Sequence, residues 1–209
     1  MTLPPVRTLV ATSIVVVIVV GLGLGGWFWA SAREQQALAA HAVVMARAQG
    51  ALSGQSTPEE RTAAIRELER LLAEHPSAQT VPHAAYQLGN LRYAGREYAT
   101  ARAAYEIALN RGATDTIGLM TRASIGYTWE AEGDHAKAQE FFAALAGDLQ
   151  PGEFLWEDTL IDLARVQEGT GQHDAAVETY RRVLKEAPLA RRSDFVRSRL
   201  AALGATVDE

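Results

Sequence analysis

LGNLRYAGREYATARAAYEIAL, running from Leu88 to Leu109, is the stretch on which the fold is read. Ala101 is its pivot, and an alanine recurs at Ala64, Ala138 and Ala176, at intervals of 37 or 38 residues. Four residues after these alanines stand Leu68, Tyr105, Phe142 and Tyr180; seven after them stand Leu71, Ala108, Leu145 and Val183. Eight after them come Leu72, Leu109, Ala146 and Leu184. Offsets of four, seven and eight lay one apolar stripe along a helix. Upstream, Leu88, Ile125 and Leu163 are each followed by a small residue, Gly89, Gly126 or Ala164, which lets a second helix approach closely. Turns built around Gly95, Gly133 and Gly171 separate the two halves. Each unit therefore reads as helix, glycine turn, helix. A period of this length predicts stacked helix pairs, each too small to bury its apolar face alone.

Leu88–Leu109 resembles a tetratricopeptide repeat, whose pattern runs L-G-x-x-Y, then A-x-x-x-F, then P. Leu163–Pro188 resembles it almost as well, and the resemblance covers about three and a half units. The units depart from the pattern at Ala85, Arg122 and Leu160, where a large residue is expected, and the period exceeds the usual one. The first unit lacks a matching first helix, because Gly50–Thr57 reads as a loop. Ala-rich Ser31–Gln49, with Leu38, Ala42, Met45 and Ala48 on one side, reads as a helix that continues from the upstream segment to open the domain. Thr57-Pro58-Glu59-Glu60 is a capping box with proline at the first helical position. Ser193-Asp194 opens a final helix that stops at Gly204, the polar terminal cap a stacked array needs. The fold expected is all-α: an N-terminal transmembrane helix, then an α-solenoid of tetratricopeptide-like helix pairs with a C-terminal capping helix.

The transmembrane expectation rests on Thr8–Ala32, which carries no charge. Roughly 20 helical residues cross a bilayer core. Gly21-Leu-Gly23-Leu-Gly-Gly26 fits G-x-G-x-x-G, but bulky Trp27, Phe28 and Trp29 follow where a dinucleotide loop needs room. Trp27 and Trp29 instead sit where an interfacial aromatic belt lies. Gly21 and Gly25 form a small-residue pair through which two spans could dimerise. Ala30-Ser31-Ala32 also fits a signal-peptidase site, yet the long apolar run and the aromatics ahead of it favour an uncleaved anchor. The organisation expected is a cytoplasmic N-terminus over residues 1–7, an anchor over 8–30, a juxtamembrane helix and loop over 31–57, and a repeat domain over 58–209. Few residues precede the span, which suits an N-in anchor with the remainder exported, although the charge signal for orientation is weak.

Nothing in the sequence assembles a reaction centre. The five histidines form no H-E-x-x-H, no cysteine is present to complete a zinc site, and no G-x-S-x-G or phosphate loop occurs. The protein reads as a non-enzyme without cofactor or metal. In the repeat frame the groove-lining candidates are His83, Tyr86, Asn90 and Tyr93, then Tyr127 and Glu130, then Asp158, Ile161 and Arg165. Aromatic side chains among them can anchor a peptide. A basic clamp for a C-terminal carboxylate is not supported, since only Asn90 and Arg165 could serve it.

Net charge is −5, which argues against nucleic acid as the main partner. The balance is uneven: Trp129–Glu178 holds twelve acidic residues against Lys137 and Arg165, while Arg181–Arg199 is basic. An acidic patch could steer a basic partner, and the basic end could touch anionic lipid.

A short N-terminus, one span, aromatics just after it and divergent repeats together resemble the single-span periplasmic ancillary subunits of the bacterial Sec translocon. That resemblance implies an inner-membrane protein with its repeats in the periplasm, binding the translocon or periplasmic chaperones. The alternative is a structural assembly factor for another envelope complex, respiratory or cytochrome-maturing.

Overall fold

The computed structural model describes the backbone of residues 6–187 and 191–206, with side chains from residue 20 onward except at 30 and 33–40. Among them are nine helices: α1 (Val6–Ala51), α2 (Pro58–Glu74), α3 (Val81–Ala94), α4 (Tyr98–Asn110), α5 (Asp115–Ala131), α6 (His135–Asp148), α7 (Trp156–Gly169), α8 (His173–Glu186) and α9 (Ser193–Ala202). The chain divides into two units, residues 1–43 and 44–209.

In the second unit, sequential helices pack as pairs: α3 on α4, α5 on α6, α7 on α8, with α9 closing the stack on α8. Each pair also packs on the next, α3 touches α5 as well, and α5 is bonded to α7, so α3, α5 and α7 line one side, the inner one. This is the α-solenoid of helix pairs expected from the sequence. The last turns of α1 supply the first helix of the first pair, as expected of the Ala-rich stretch Ser31–Gln49. Met45, Ala48 and Ala51 are buried with Ala64, Leu68 and Leu71 of α2 and Leu88 and Leu91 of α3.

The recurring alanines sit where helices cross. Ala101, Ala138 and Ala176 have no exposed surface. One turn further along the same stripe, Tyr105, Phe142 and Tyr180 are at most 2 % exposed, and burying such side chains contributes about 1.5–3 kcal/mol each. The small residues upstream make room for these rings. A Cβ at Gly126 would meet the Phe142 ring at 2.8 Å, and one at Gly89 would overlap the Tyr105 ring outright.

Local signals fix the ends. Thr57 accepts from the Glu60 amide while the Glu60 carboxylate accepts from the Thr57 amide, completing the capping box that starts α2. Gly133 and Gly171 take left-handed backbone at φ 84° and 76°, a conformation open to glycine without strain. The turn between α3 and α4 differs from expectation. Gly95 has φ −80°, and Arg96 takes the left-handed position at φ 63°, because its glycine comes one residue early. Arg96→Gly should therefore raise stability by about 0.5–1 kcal/mol, the relief of left-handed strain less the extra freedom of the unfolded chain. The denaturation midpoint measures it; a lowered midpoint would show that the turn is held by Arg96 itself.

In the first unit, α1 is one unbroken helix to the boundary. Trp27 and Trp29 are 70 % and 59 % exposed, and Leu22, Leu24 and Phe28 are exposed beside them. Nothing lies within 4 Å of a Cβ built at Gly21 or Gly25. Among the described residues no helix is long and apolar enough to cross a membrane. Most side chains of the expected anchor over 8–30 lie outside those described.

Candidate protein-binding face

The inner helices repeat their side chains in columns. Eleven positions before the pivot alanines stand Asn90, Tyr127 and Arg165; fourteen before them stand Gln87, Ser124 and Asp162. These two columns run down the inner face. Asn90 accepts the Tyr105 hydroxyl at 2.8 Å and lies 3.4 Å from Gln87. Arg165 reaches Asp162 at 2.8 Å and also pairs with Glu130 of α5. The Tyr127 hydroxyl donates to Asp162, so two separate contacts tie α5 to α7 across the inner face. Asp158, one turn earlier, holds Arg192 at 3.1 Å and Arg191 at 3.5 Å from the segment entering α9.

The structure thus brings Tyr127, Glu130, Asp158 and Arg165 into one cluster, with Asn90 on the same face. Tyr93 is exposed, at 36 %, its ring 5.4 Å from that of Tyr98. His83 is partly buried at the start of α3. Two expected groove residues belong to the core instead. Ile161 is 1 % exposed, and Tyr86 is 7 % exposed with its ring 5.9 Å from Tyr105. Both occupy the column one residue before the Gln87–Ser124–Asp162 column, and Ala123 between them is buried as well. A step of one residue turns a helical side chain by about 100°, from open face into core.

Asp162 was missed by sequence reasoning. It is 8 % exposed, and its carboxyl is raised from 3.8 to about 6: burial is the main cause, Asp158 adds to it, and the Tyr127 hydroxyl and Arg192 oppose it. A folded-state value above the unfolded one means that stability is fully present below pH 4 and lost as pH rises through about 6. Asp162→Asn should remove that dependence. The variant gains on the parent by an amount on the order of 2 kcal/mol between pH 4 and 7, at 1.36 kcal/mol per unit. Parallel melting curves across this range would contradict it.

Most of the acidic excess between Trp129 and Glu178 is taken up within the fold. Arg102 reaches Glu132 at 2.6 Å, Arg122 reaches Asp148 at 2.5 Å, and Arg199 pairs with Glu168. The Glu157 carboxylate accepts the amides of Arg191 and Arg192 at 3.1 and 2.5 Å. Much of the basic C-terminal segment therefore folds back on α7, which leaves less of it to meet lipid. Exposed pairs of this kind contribute 0–1 kcal/mol each, roughly; their consequence is register between neighbouring pairs.

Helix pairs, crossing alanines and a polar inner face define a tetratricopeptide-like solenoid, a fold that suggests protein–protein interaction. The tetratricopeptide repeat family model matches residues 158–190. The chain is similar to a crystal structure of a Podosopora anserina kinesin light chain with nearly identical TPR-like repeats, in a variant form. The TM-score is 0.62 and the identity 16 %, over 82 % of this chain and 87 % of that one. A second crystal structure of that Podosopora anserina protein gives 0.54 and 12 %, over 84 % and 98 %. At these identities the likeness is one of fold. No curated protein matches the chain.

Proposed function

We propose that the protein is a membrane-anchored adaptor whose inner helix face holds a segment of a partner protein in the bacterial periplasm, at the Sec translocon and its chaperones. One observation carries the binding assignment: the Tyr127–Asp162–Arg165–Glu130 network on the inner face, with Asn90 in the same column. Stacked helix pairs present such a face as a continuous surface to an extended or helical segment. The uncharged run Thr8–Ala32 and the exposed Trp27 and Trp29 support anchoring, with residues 1–7 inside and the repeats outside. The Gly21–Gly25 pair would place two such anchors side by side.

Tyr127→Ala and Tyr93→Ala, each folded as judged by helix content and melting, should weaken capture of the partner that co-purifies in mild detergent. A true anchor loses 2 kcal/mol or more, about thirtyfold in affinity. Undiminished capture by both variants would remove these residues from the interface. A reporter active only in the periplasm, fused after Glu209, should be active; activity of a cytoplasmic reporter alone would reverse the topology. A stoichiometric complex of fixed subunits, rather than transient clients, would favour the assembly-factor reading.

A further inference from the structure

Resting on the binding face described above, a second feature concerns what that face recognises and when. We propose that Tyr127, Glu130, Asp162 and Arg165 form a proton-operated switch: with Asp162 ionised the cluster is closed on itself, and proton uptake by Asp162 frees Arg165 to hold an acidic segment of the partner protein.

The charges facing Asp162 come from three elements. From α5 come Tyr127, which donates its hydroxyl to Asp162, and Glu130, which pairs with Arg165. From α7 come Asp158 and Arg165; from the segment entering α9 come Arg192 and Arg191, both on Asp158. Three carboxylates thus meet three guanidiniums, and a fourth carboxylate, Glu157, lies beside them on the Arg191 and Arg192 amides. A guanidinium stays charged at any pH the protein meets, so proton uptake by a carboxylate makes the cluster more positive by one charge. Tyr127 can keep its hydrogen bond, because a protonated carboxyl still accepts at its carbonyl oxygen. Arg165 loses half of its anionic partnership.

Arg165 is placed to use that charge. Its side chain is 41 % exposed, whereas that of Asp162 is 12 % exposed, so an incoming carboxylate reaches the arginine and not the aspartate. The planar guanidinium binds a carboxylate through two parallel hydrogen bonds. Tyr93, 36 % exposed on the inner helix α3, offers an aromatic side chain on the face proposed for the partner. Burial, the main cause of the raised Asp162 carboxyl, brings its proton uptake into mildly acidic conditions. Coupling is reciprocal: an anion bound at Arg165 must in turn draw a proton onto Asp162.

The test uses the full chain in detergent micelles with fluorescein-labelled hexaglutamate, and hexalysine as the opposite charge. Hexaglutamate affinity should rise at least about fivefold from pH 7.5 to pH 5.5. Asp162→Asn should bind at both pH values as the parent does in acid, and Arg165→Gln should bind weakly at both. Affinity unchanged by pH in the parent, retained dependence in Asp162→Asn, or tighter binding of hexalysine would each overturn the proposal. The nitrogen-15 shift of Arg165 Nε in the ligand-free protein separates the two layers. A signal that fails to move between these pH values, with hexaglutamate still contacting Tyr93 or Tyr127, overturns the switch alone. A moving signal with no contact at those tyrosines overturns the binding face and the acidic partner with it.

Discussion

Phe142→Ala should destabilise the repeat unit by about 3–5 kcal/mol. The ring is 1 % exposed and occupies the space that Gly126 opens at the α5–α6 crossing. It also meets the Tyr127 ring at 5.3 Å and shares a cluster with Ala138, Leu163 and Val166. Its removal leaves a cavity that two helices held apart by other contacts cannot close. The same change withdraws the support beneath Tyr127, so the binding face should loosen together with the core. Urea denaturation at constant slope measures the loss. A midpoint within about 1 kcal/mol of the parent would mean that Phe142 does not fill the crossing.

Trp156→Ala should cost a similar amount, about 3–5 kcal/mol, with a different distribution along the chain. Trp156 is 1 % exposed and sits at the first position of α7, after Leu155 in left-handed backbone at φ 66°. It belongs to the largest core cluster, which runs from Ala123 of α5 to Val196 and Leu200 of α9. In a solenoid each repeat is held mainly by its neighbours, so damage at one junction stays local to it. Amide exchange should therefore accelerate in α7–α9 while α2–α4 keep their protection. Uniform acceleration over all helices would contradict the nearest-neighbour reading.

How far the sequence could be read follows from what each signal depends on. The crossing alanines and the glycines beneath Tyr105 and Phe142 were legible, because steric room permits so few side chains there. The capping box was legible as well, since its hydrogen bonds are local to four residues. Arg96 was not: glycine marks a turn, but which residue of the turn becomes left-handed depends on where the next helix begins. Inner-face residues were legible only to within one position, so Tyr86 and Ile161 were placed on the surface and Asp162 was overlooked. A carboxylate three positions before an arginine looks like an ordinary solvated pair; only packing against Tyr127 shows it buried. Equally, a run of acidic residues reads as a patch until the arginines of neighbouring units are seen to close on it.

The central claim is that a partner protein lies along the odd-numbered helices. Photo-crosslinking in intact cells tests it most directly, with benzoylphenylalanine placed singly at Tyr93 and Tyr127 on the inner face and at Ile107 and Phe141 on the outer helices. All four positions are at least partly exposed, so accessibility alone does not decide the outcome. Crosslinks to a common partner from Tyr93 and Tyr127, with none from Ile107 or Phe141, are the predicted result. Crosslinks from Ile107 and Phe141 alone would contradict it and move the interface to the even-numbered helices.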